Sequence, residues 1–150
     1  MRITTTKILS QLQTEKINAL WDNEFPAKLN GRFPLLLNDA TSFDHYIIED
    51  DAQSIIAWAV IFEKDQQIRF SLIVAENQQQ KGLGGLLIER LKTDYQEFYG
   101  WVIDHNDDLK TNGKHYLSPL PFYLKHGFEI LTGQRIDSPM IKAVLIKWGL

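Results

Sequence analysis

At the centre of the chain stands Val74-Ala75-Glu76-Asn77-Gln78-Gln79-Gln80-Lys81-Gly82-Leu83-Gly84-Gly85. The β-rich run Gln67 to Ala75 leads into this stretch, and leucines at four-residue spacing follow at Leu83, Leu87 and Leu91. The pattern therefore predicts a strand, a glycine-rich turn and a long helix. Because glycine lacks a Cβ atom, the backbone can approach an anion closely, and the first amides of the helix can bind phosphate oxygens. We expect a pyrophosphate site at this turn.

Three other interpretations of the glycine turn are a tight packing turn, a Walker loop and a dinucleotide-binding fold. A tight turn that needs small residues for packing remains open for a lone Gly-x-Gly-Gly. A Walker loop is excluded because Lys81 precedes Gly82 instead of following a glycine. A dinucleotide-binding fold has its glycines after the first strand of a βαβ unit, whereas several β-rich runs precede this turn.

Those β-rich runs are Tyr46 to Glu49, Ser54 to Phe62 and Gln67 to Ala75, joined by short polar connectors. Connectors of this length predict an antiparallel meander. Trp101 to Ile103 forms a further buried run after the helix, and a strand–helix–strand order favours a parallel pairing with the strand before the helix.

The flanking segments complete the expected order of elements. Thr14 is a plausible cap for a first helix that ends before Pro26, and Phe33 to Phe43 is predicted to be irregular. Ser118 to Gly127 has the start and stop signals of a short helix. The remaining strands are expected at Phe128 to Leu131 and Met140 to Trp148. This order predicts an α/β fold with a mixed sheet.

Composition limits the function classes. The chain has 150 residues, which predicts a single domain spanning 1–150, and 16 basic against 19 acidic residues give a net charge of −3. This balance argues against nucleic-acid binding through a basic field. The longest apolar run, Ile55 to Phe62, is far shorter than a membrane span, and the N-terminus lacks a signal-peptide pattern, so we expect no membrane association and a cytoplasmic protein. The absence of cysteine excludes disulfides and thiol catalysis.

Two motifs together resemble the GNAT family of acyl-coenzyme A dependent N-acetyltransferases. That family carries Gln/Arg-x-x-Gly-x-Gly/Ala at the strand–helix junction, matched by Gln79 to Gly84, and later Tyr-x-x-x-Gly-Phe, matched by Tyr123 to Phe128. The resemblance covers Ser54 to Phe128. It implies a mostly antiparallel sheet of about six to seven strands, with a parallel pair at the cofactor site and helices on both faces.

The resemblance also implies how acetyl-coenzyme A is held. The backbone of the strand before the turn would pair with the pantetheine amides, and the amides of the turn would hold the pyrophosphate. By motif position, the cofactor-binding residues are Leu72, Ile73, Val74, Gln79, Gln80, Lys81, Gly82, Leu83, Gly84 and Gly85.

Acyl transfer to an amine needs a donor for the oxyanion, a proton for the departing thiolate and a route for the amine's proton. The resemblance implies that the backbone amide of Ile73 or Val74 donates a hydrogen bond to the oxyanion. It also implies that Tyr123 is the general acid that protonates the departing thiolate. The alternative for Tyr123 is a core tyrosine. The sequence offers three candidates for the catalytic base and does not decide between them. Asp104 and His105 follow the predicted strand that ends at Ile103, and Glu76 follows the strand before the glycine turn.

Several positions depart from the family pattern. Gln80 replaces a frequent glycine, and Tyr116 and Pro119 replace frequent asparagine and alanine. The polar connector His105 to Leu117 is long and is either a cover for the acceptor site or a structural ornament. In the family, residues after the first helix help to form the acceptor pocket, here Phe25, Pro26 and Phe33.

No metal is expected. Asp104 to Asp108 begins like a calcium loop, but Leu109 and His115 stand where glycine and glutamate are required. The predicted activity is acetyl transfer from acetyl-coenzyme A to a primary amine on a small molecule or a peptide. The alternatives are an acyl-coenzyme A sensor without catalysis and a general nucleotide-phosphate binder. A homodimer through the apolar last strand is possible.

Overall fold

The computed structural model describes residues 2–149, and its strands form one seven-stranded sheet in the order β1-β2-β3-β4-β5-β7-β6. The strands are β1 (Ile3–Thr6), β2 (Thr41–Glu49), β3 (Ile55–Lys64), β4 (Gln67–Val74), β5 (Glu97–Ile103), β6 (Glu129–Asp137) and β7 (Lys142–Gly149). The helices are α1 (Gln11–Glu24), α2 (Phe33–Leu36), α3 (Leu83–Asp94) and α4 (Leu120–Lys125), with 3-10 turns at Ala27–Leu29 and Glu76–Lys81.

The sheet is antiparallel except between β4 and β5. β2, β3 and β4 form the predicted meander. β4 and β5 are parallel, as predicted, and pair in register at Arg69 and Tyr99. The register does not continue from Ser71 on β4 or from Trp101 on β5, and a cavity is lined by Ser71 and Leu72 together with Trp101 to Ile103, so the carboxyl-terminal halves of the two strands enclose a gap.

Apolar clusters cover both faces of the sheet, as predicted. On one face α3 contributes Leu87, Ile88 and Leu91, all fully buried, and α4 contributes Tyr123. On the other face α1 and α2 pack against the opposite side chains of β3. The second cluster contains Ile17, Leu20, Trp21, Phe33, Trp58, Val60 and Phe62.

Three local predictions are wrong. Helix α1 begins one turn earlier than expected, because Ser10 and Gln13 form a reciprocal capping box and Thr14 is inside the helix. The segment Phe33 to Phe43 is not irregular throughout, since it contains α2 and the start of β2. β6 extends to Asp137, with a break in the pairing register after Leu131.

The glycine turn folds as its sequence indicates. The 3-10 turn Glu76–Lys81 ends at Gly82, whose φ of 78° is the left-handed conformation that glycine adopts without steric cost. Helix α3 follows at once, and Arg90 and Asp94 form the expected pair one turn apart at 3.0 Å. Between residues 2 and 149, no helix has the length and hydropathy needed to cross a membrane.

Candidate active site

Beside the end of β4 lies a cavity of about 270 Å³, here called the inner cavity. Its walls come from the end of β4, the glycine turn, the end of α1 and the start of α4. It is lined by Glu24, Phe25, Leu72, Ile73, Val74, Gln79, Gly84, Tyr116, Leu117, Ser118, Pro119, Phe122 and Tyr123. Six of the thirteen predicted site residues therefore meet at one cavity: Leu72, Ile73, Val74, Gln79, Gly84 and Tyr123.

A second cavity of about 350 Å³, the aromatic groove, contains the gap and is lined by residues of β4 and β5. It meets the inner cavity at Phe25, Leu72, Tyr116, Pro119 and Tyr123, which line both. Its other walls are largely aromatic and aliphatic and include Trp21, Leu36, Phe62, Trp101, Ile136 and Ile141. The inner cavity thus adjoins the gap through these shared residues.

Tyr123 lies at the junction of these cavities. Its ring packs edge-on against Phe70 and Phe128, with centroids 5.5 Å and 5.3 Å away, and 4% of the residue is exposed. No hydrogen bond of its hydroxyl to another residue within 2–149 is present. Burial raises the pKa of the Tyr123 phenol above its ordinary value, with a smaller contribution from Tyr116. The phenol therefore keeps its proton and can donate a hydrogen bond to a group in the gap.

Tyr116, a departure from the family pattern, is a second phenol at this junction. Its ring contacts Phe25 edge-on with centroids 5.9 Å apart. Burial raises the pKa of Tyr116 as well, and the negative charge of Asp108 adds to the effect. The site thus contains two neutral hydroxyl donors. Tyr116 belongs to the long connector, and Tyr123 belongs to α4, the helix that follows it.

The helix end at the glycine turn has free donors. No side chain caps the amides in the first turn of α3, so this end can receive an anion. Beside it, the Gln79 side chain donates to the Val74 carbonyl at 3.0 Å. A Cβ atom on Gly84 would lie 3.0 Å from the Phe122 ring, so this glycine also permits close packing of α3 against α4.

Asp104 and His105 lie outside both cavities. Asp104 forms an ion pair with Arg135 at 2.7 Å, and this hydrogen bond holds the pKa of the carboxyl below its usual value. His105 accepts a hydrogen bond from the Asp107 amide at 3.1 Å. The structure therefore does not bring these two predicted residues to the gap. It places Gln80, Lys81 and Gly82 in the adjoining turn, and Leu83 and Gly85 at the start of α3, rather than on the wall of the inner cavity.

Glu24 is the carboxylate that the sequence analysis missed. It lines the inner cavity and is also part of a polar groove with Asn23, Glu76, Asn77, Thr111 and Asn112. One Glu24 oxygen accepts from the Glu76 amide at 3.0 Å, and the other lies 3.3 Å from the Lys110 ammonium. Nothing in the local sequence at the end of α1, before Phe25-Pro26, indicates that Glu24 lines a cavity.

The connector from His105 to Leu117 is tied to α1 and its 3-10 turn. Leu109 accepts from the Ala27 amide at 2.8 Å, and Thr111 donates to the Asp22 carbonyl at 3.1 Å. Lys110 is 7% exposed, which is rare for lysine and reflects its pairing with Glu24. The connector thus forms a fixed wall that places Tyr116 in the site.

Of the three residues expected at an acceptor pocket, Phe25 lines both cavities. Phe33 is buried instead against Trp58, with ring centroids 5.3 Å apart, and Pro26 pairs with Lys110. Within residues 2–149, no three His, Cys, Asp or Glu side chains form a group that could hold a metal ion.

The seven-stranded mixed sheet with one parallel pair, and helices on both faces, is the fold of solved N-acetyltransferase structures. The family model described as "Acetyltransferase (GNAT) domain" matches residues 41–130. The chain belongs to the GNAT family of N-acetyltransferases, which confirms the resemblance drawn from its two motifs.

Solved structures show the same fold at low sequence identity. The ribosomal-protein-alanine N-acetyltransferase from Brucella melitensis is 14% identical, with all of both chains covered and a TM-score of 0.68. The aminoglycoside 6'-N-acetyltransferase from Enterococcus faecium is 12% identical, with 98% of this chain and 96% of that chain covered and a TM-score of 0.69. A phosphinothricin acetyltransferase from Sinorhizobium meliloti, solved with AcCoA, is 13% identical over 100% of this chain and 89% of that chain, with a TM-score of 0.62. Comparison with curated proteins gives no match.

Proposed function

We propose that this chain is a single cytoplasmic domain that transfers the acetyl group of acetyl-coenzyme A to a primary amine by direct attack. The observation that carries the proposal is the gap between β4 and β5, with the neutral Tyr123 phenol lining the same cavity. The AcCoA complex of the Sinorhizobium meliloti protein, which shares the fold, supports this choice of cosubstrate.

The cofactor would enter along β4. Leu72, Ile73 and Val74 lie at the edge of the gap, where the strand is no longer paired in register with β5 and can bond the pantetheine amides. The pyrophosphate would then reach the amides of Gln79 through Gly84 and the uncapped start of α3, with Gly85 in its first turn. No metal is required, because these donors are backbone amides.

In the transfer step, the amine lone pair attacks the thioester carbonyl carbon, the carbon–sulfur bond breaks, and sulfur leaves with the bonding electrons. A backbone amide at Ile73 or Val74 would stabilise the oxyanion. Because burial raises the pKa of Tyr123, its phenol would act chiefly by donating a hydrogen bond to the departing sulfur. The amine nitrogen loses one proton as the amide forms, and this proton offsets the negative charge of the thiolate that leaves.

We assign the removal of the amine's proton to Glu24 acting through water. Within the described residues, Glu24 is the one carboxylate on the wall of the inner cavity, and it also reaches the polar groove and hence solvent. Asp104, His105 and Glu76 do not line the inner cavity. The proton would leave by way of the polar groove.

The test combines acetyl-coenzyme A binding by calorimetry with thiol release across an amine panel, for the wild type, Tyr123→Phe and a matched control, Tyr99→Phe. Tyr99 lies on β5 outside both cavities. We expect Tyr123→Phe to lower turnover about tenfold or more with cofactor affinity retained, and Tyr99→Phe to behave as the wild type. No cofactor binding, or equal turnover in all three proteins, would refute the proposal.

A further inference from the structure

The aromatic groove indicates which amines the site accepts. Its far end is formed by β3 and β4, where Phe62 lies directly opposite Arg69. Lys64, two residues beyond Phe62, projects to the same face of the sheet because side chains alternate along a strand. The groove therefore runs from the gap, past aromatic walls, to two cationic side chains.

The charges on this groove have one sign. Lys64 and Arg69 both line it, and none of its lining residues is Asp or Glu. Arg69 is held by Gln67 at 3.1 Å and lies 3.7 Å from Asp65, a largely exposed carboxylate that neutralises it only weakly. Within residues 2–149, Lys64 forms no ion pair. A second cationic centre on an acceptor would meet repulsion here.

The distance along β4 sets the spacing of the ligand. Arg69 precedes Leu72, at the gap, by three residues, which corresponds to about 10 Å of strand. The groove is otherwise lined largely by aromatic and aliphatic side chains, among them Trp21, Phe62 and Trp101, so the part of the ligand that spans this distance is apolar.

From these observations we infer that the acceptor is an amino acid of ω-amino type, whose primary amine and carboxylate are separated by an aromatic or alkyl body that covers most of this span. The amine reaches the gap beside Tyr123, and the carboxylate pairs with Lys64 and Arg69. This inference rests on the proposed function. It predicts that polyamines are poor acceptors, because a second cationic centre would meet Lys64 and Arg69.

The experiment compares three acceptors in the thiol-release assay: 4-(2-aminoethyl)benzoate, its neutral amide 4-(2-aminoethyl)benzamide, and spermidine. We expect the benzoate to have a kcat/KM about tenfold above that of the benzamide, because a charge-assisted pair is lost in the amide. Lys64→Gln and Arg69→Gln should each reduce this preference severalfold. Lys142→Gln, a control on an exposed cation outside the groove, should keep it.

Binding of the unreactive 4-ethylbenzoate, followed by calorimetry, separates the inference from the activity. We expect 4-ethylbenzoate to bind the wild type and to lose affinity for Lys64→Gln and Arg69→Gln, with unchanged melting temperatures. That outcome would support the groove as an anion site even if no amine releases thiol. The absence of thiol release would refute only the proposed function. Equal or faster reaction of benzamide or spermidine would overturn the inference and leave the proposed function intact. Equal ethylbenzoate affinity in all variants would overturn it as well.

Discussion

A Cβ atom on Gly100 would lie 2.5 Å from the Phe70 ring, so the ring occupies the space that a side chain on β5 would take. The contact lies beside the Arg69–Tyr99 pair, where β4 and β5 are still in register. Phe70 in turn packs edge-on against Tyr123. The glycine thus allows one ring to connect the paired half of the two strands to the tyrosine at the gap.

Gly100→Ala should lower the free energy of unfolding by about 1–3 kcal/mol, because the added methyl group forces the Phe70 ring to move. Denaturant unfolding followed by circular dichroism measures the change. In a Phe70→Leu background the same substitution should cost less, since a smaller side chain leaves room. Additive effects of the two substitutions would contradict the steric account.

Stability should depend on the protonation of His45. Burial lowers the pKa of His45 to about 4, from its ordinary 6.5, and its Nδ1 accepts a hydrogen bond from the Trp58 indole at 3.1 Å. Between pH 6.5 and pH 4 the unfolded chain therefore binds a proton that the folded chain does not. The free energy of unfolding should fall by about 1 kcal/mol for each pH unit lost in this window.

The control for this pH dependence is a pair of histidine variants. His45→Gln keeps an acceptor for the Trp58 indole but cannot take a proton, so its stability should change less steeply across the window. The exposed His115→Gln should retain the wild-type slope. A slope that is unchanged in His45→Gln would show that another group causes it.

Lys110→Met should destabilise the protein by about 3 kcal/mol, because it leaves the mostly buried Glu24 carboxylate without its cationic partner. Thermal unfolding measures the loss. The double variant Glu24→Gln/Lys110→Met should be less affected than the sum of the single variants, since no buried charge remains. Additivity would mean that the pair is not coupled.

The glycine turn was readable from sequence because its signals are local. Gly82 has the left-handed conformation that favours glycine, and Leu83, Leu87 and Leu91 are buried at the predicted spacing. The Ser10–Gln13 capping box is also a local signal, and recognising it would have corrected the start of α1. Local patterns therefore gave α1, the parallel pair and the order of elements from β2 onward, but neither β1 nor α2.

The rest of the site depends on contacts between distant segments. Glu24 becomes a cavity residue because the connector brings Lys110 against it, 86 residues further along the chain. The cationic end of the aromatic groove arises from the register that places Phe62 opposite Arg69. β6 lacks a clear alternation because most of its residues are exposed, so its extent was not visible either.

The central claim is that acetyl-coenzyme A occupies the gap between β4 and β5, and a crystal structure with coenzyme A tests it most directly. We expect the pantetheine arm along Leu72 to Val74, the pyrophosphate on the amides of Gln79 to Gly84, and the sulfur within hydrogen-bond distance of the Tyr123 hydroxyl. A bound coenzyme A whose sulfur lies away from Tyr123, or whose pyrophosphate leaves these amides uncontacted, would contradict the account.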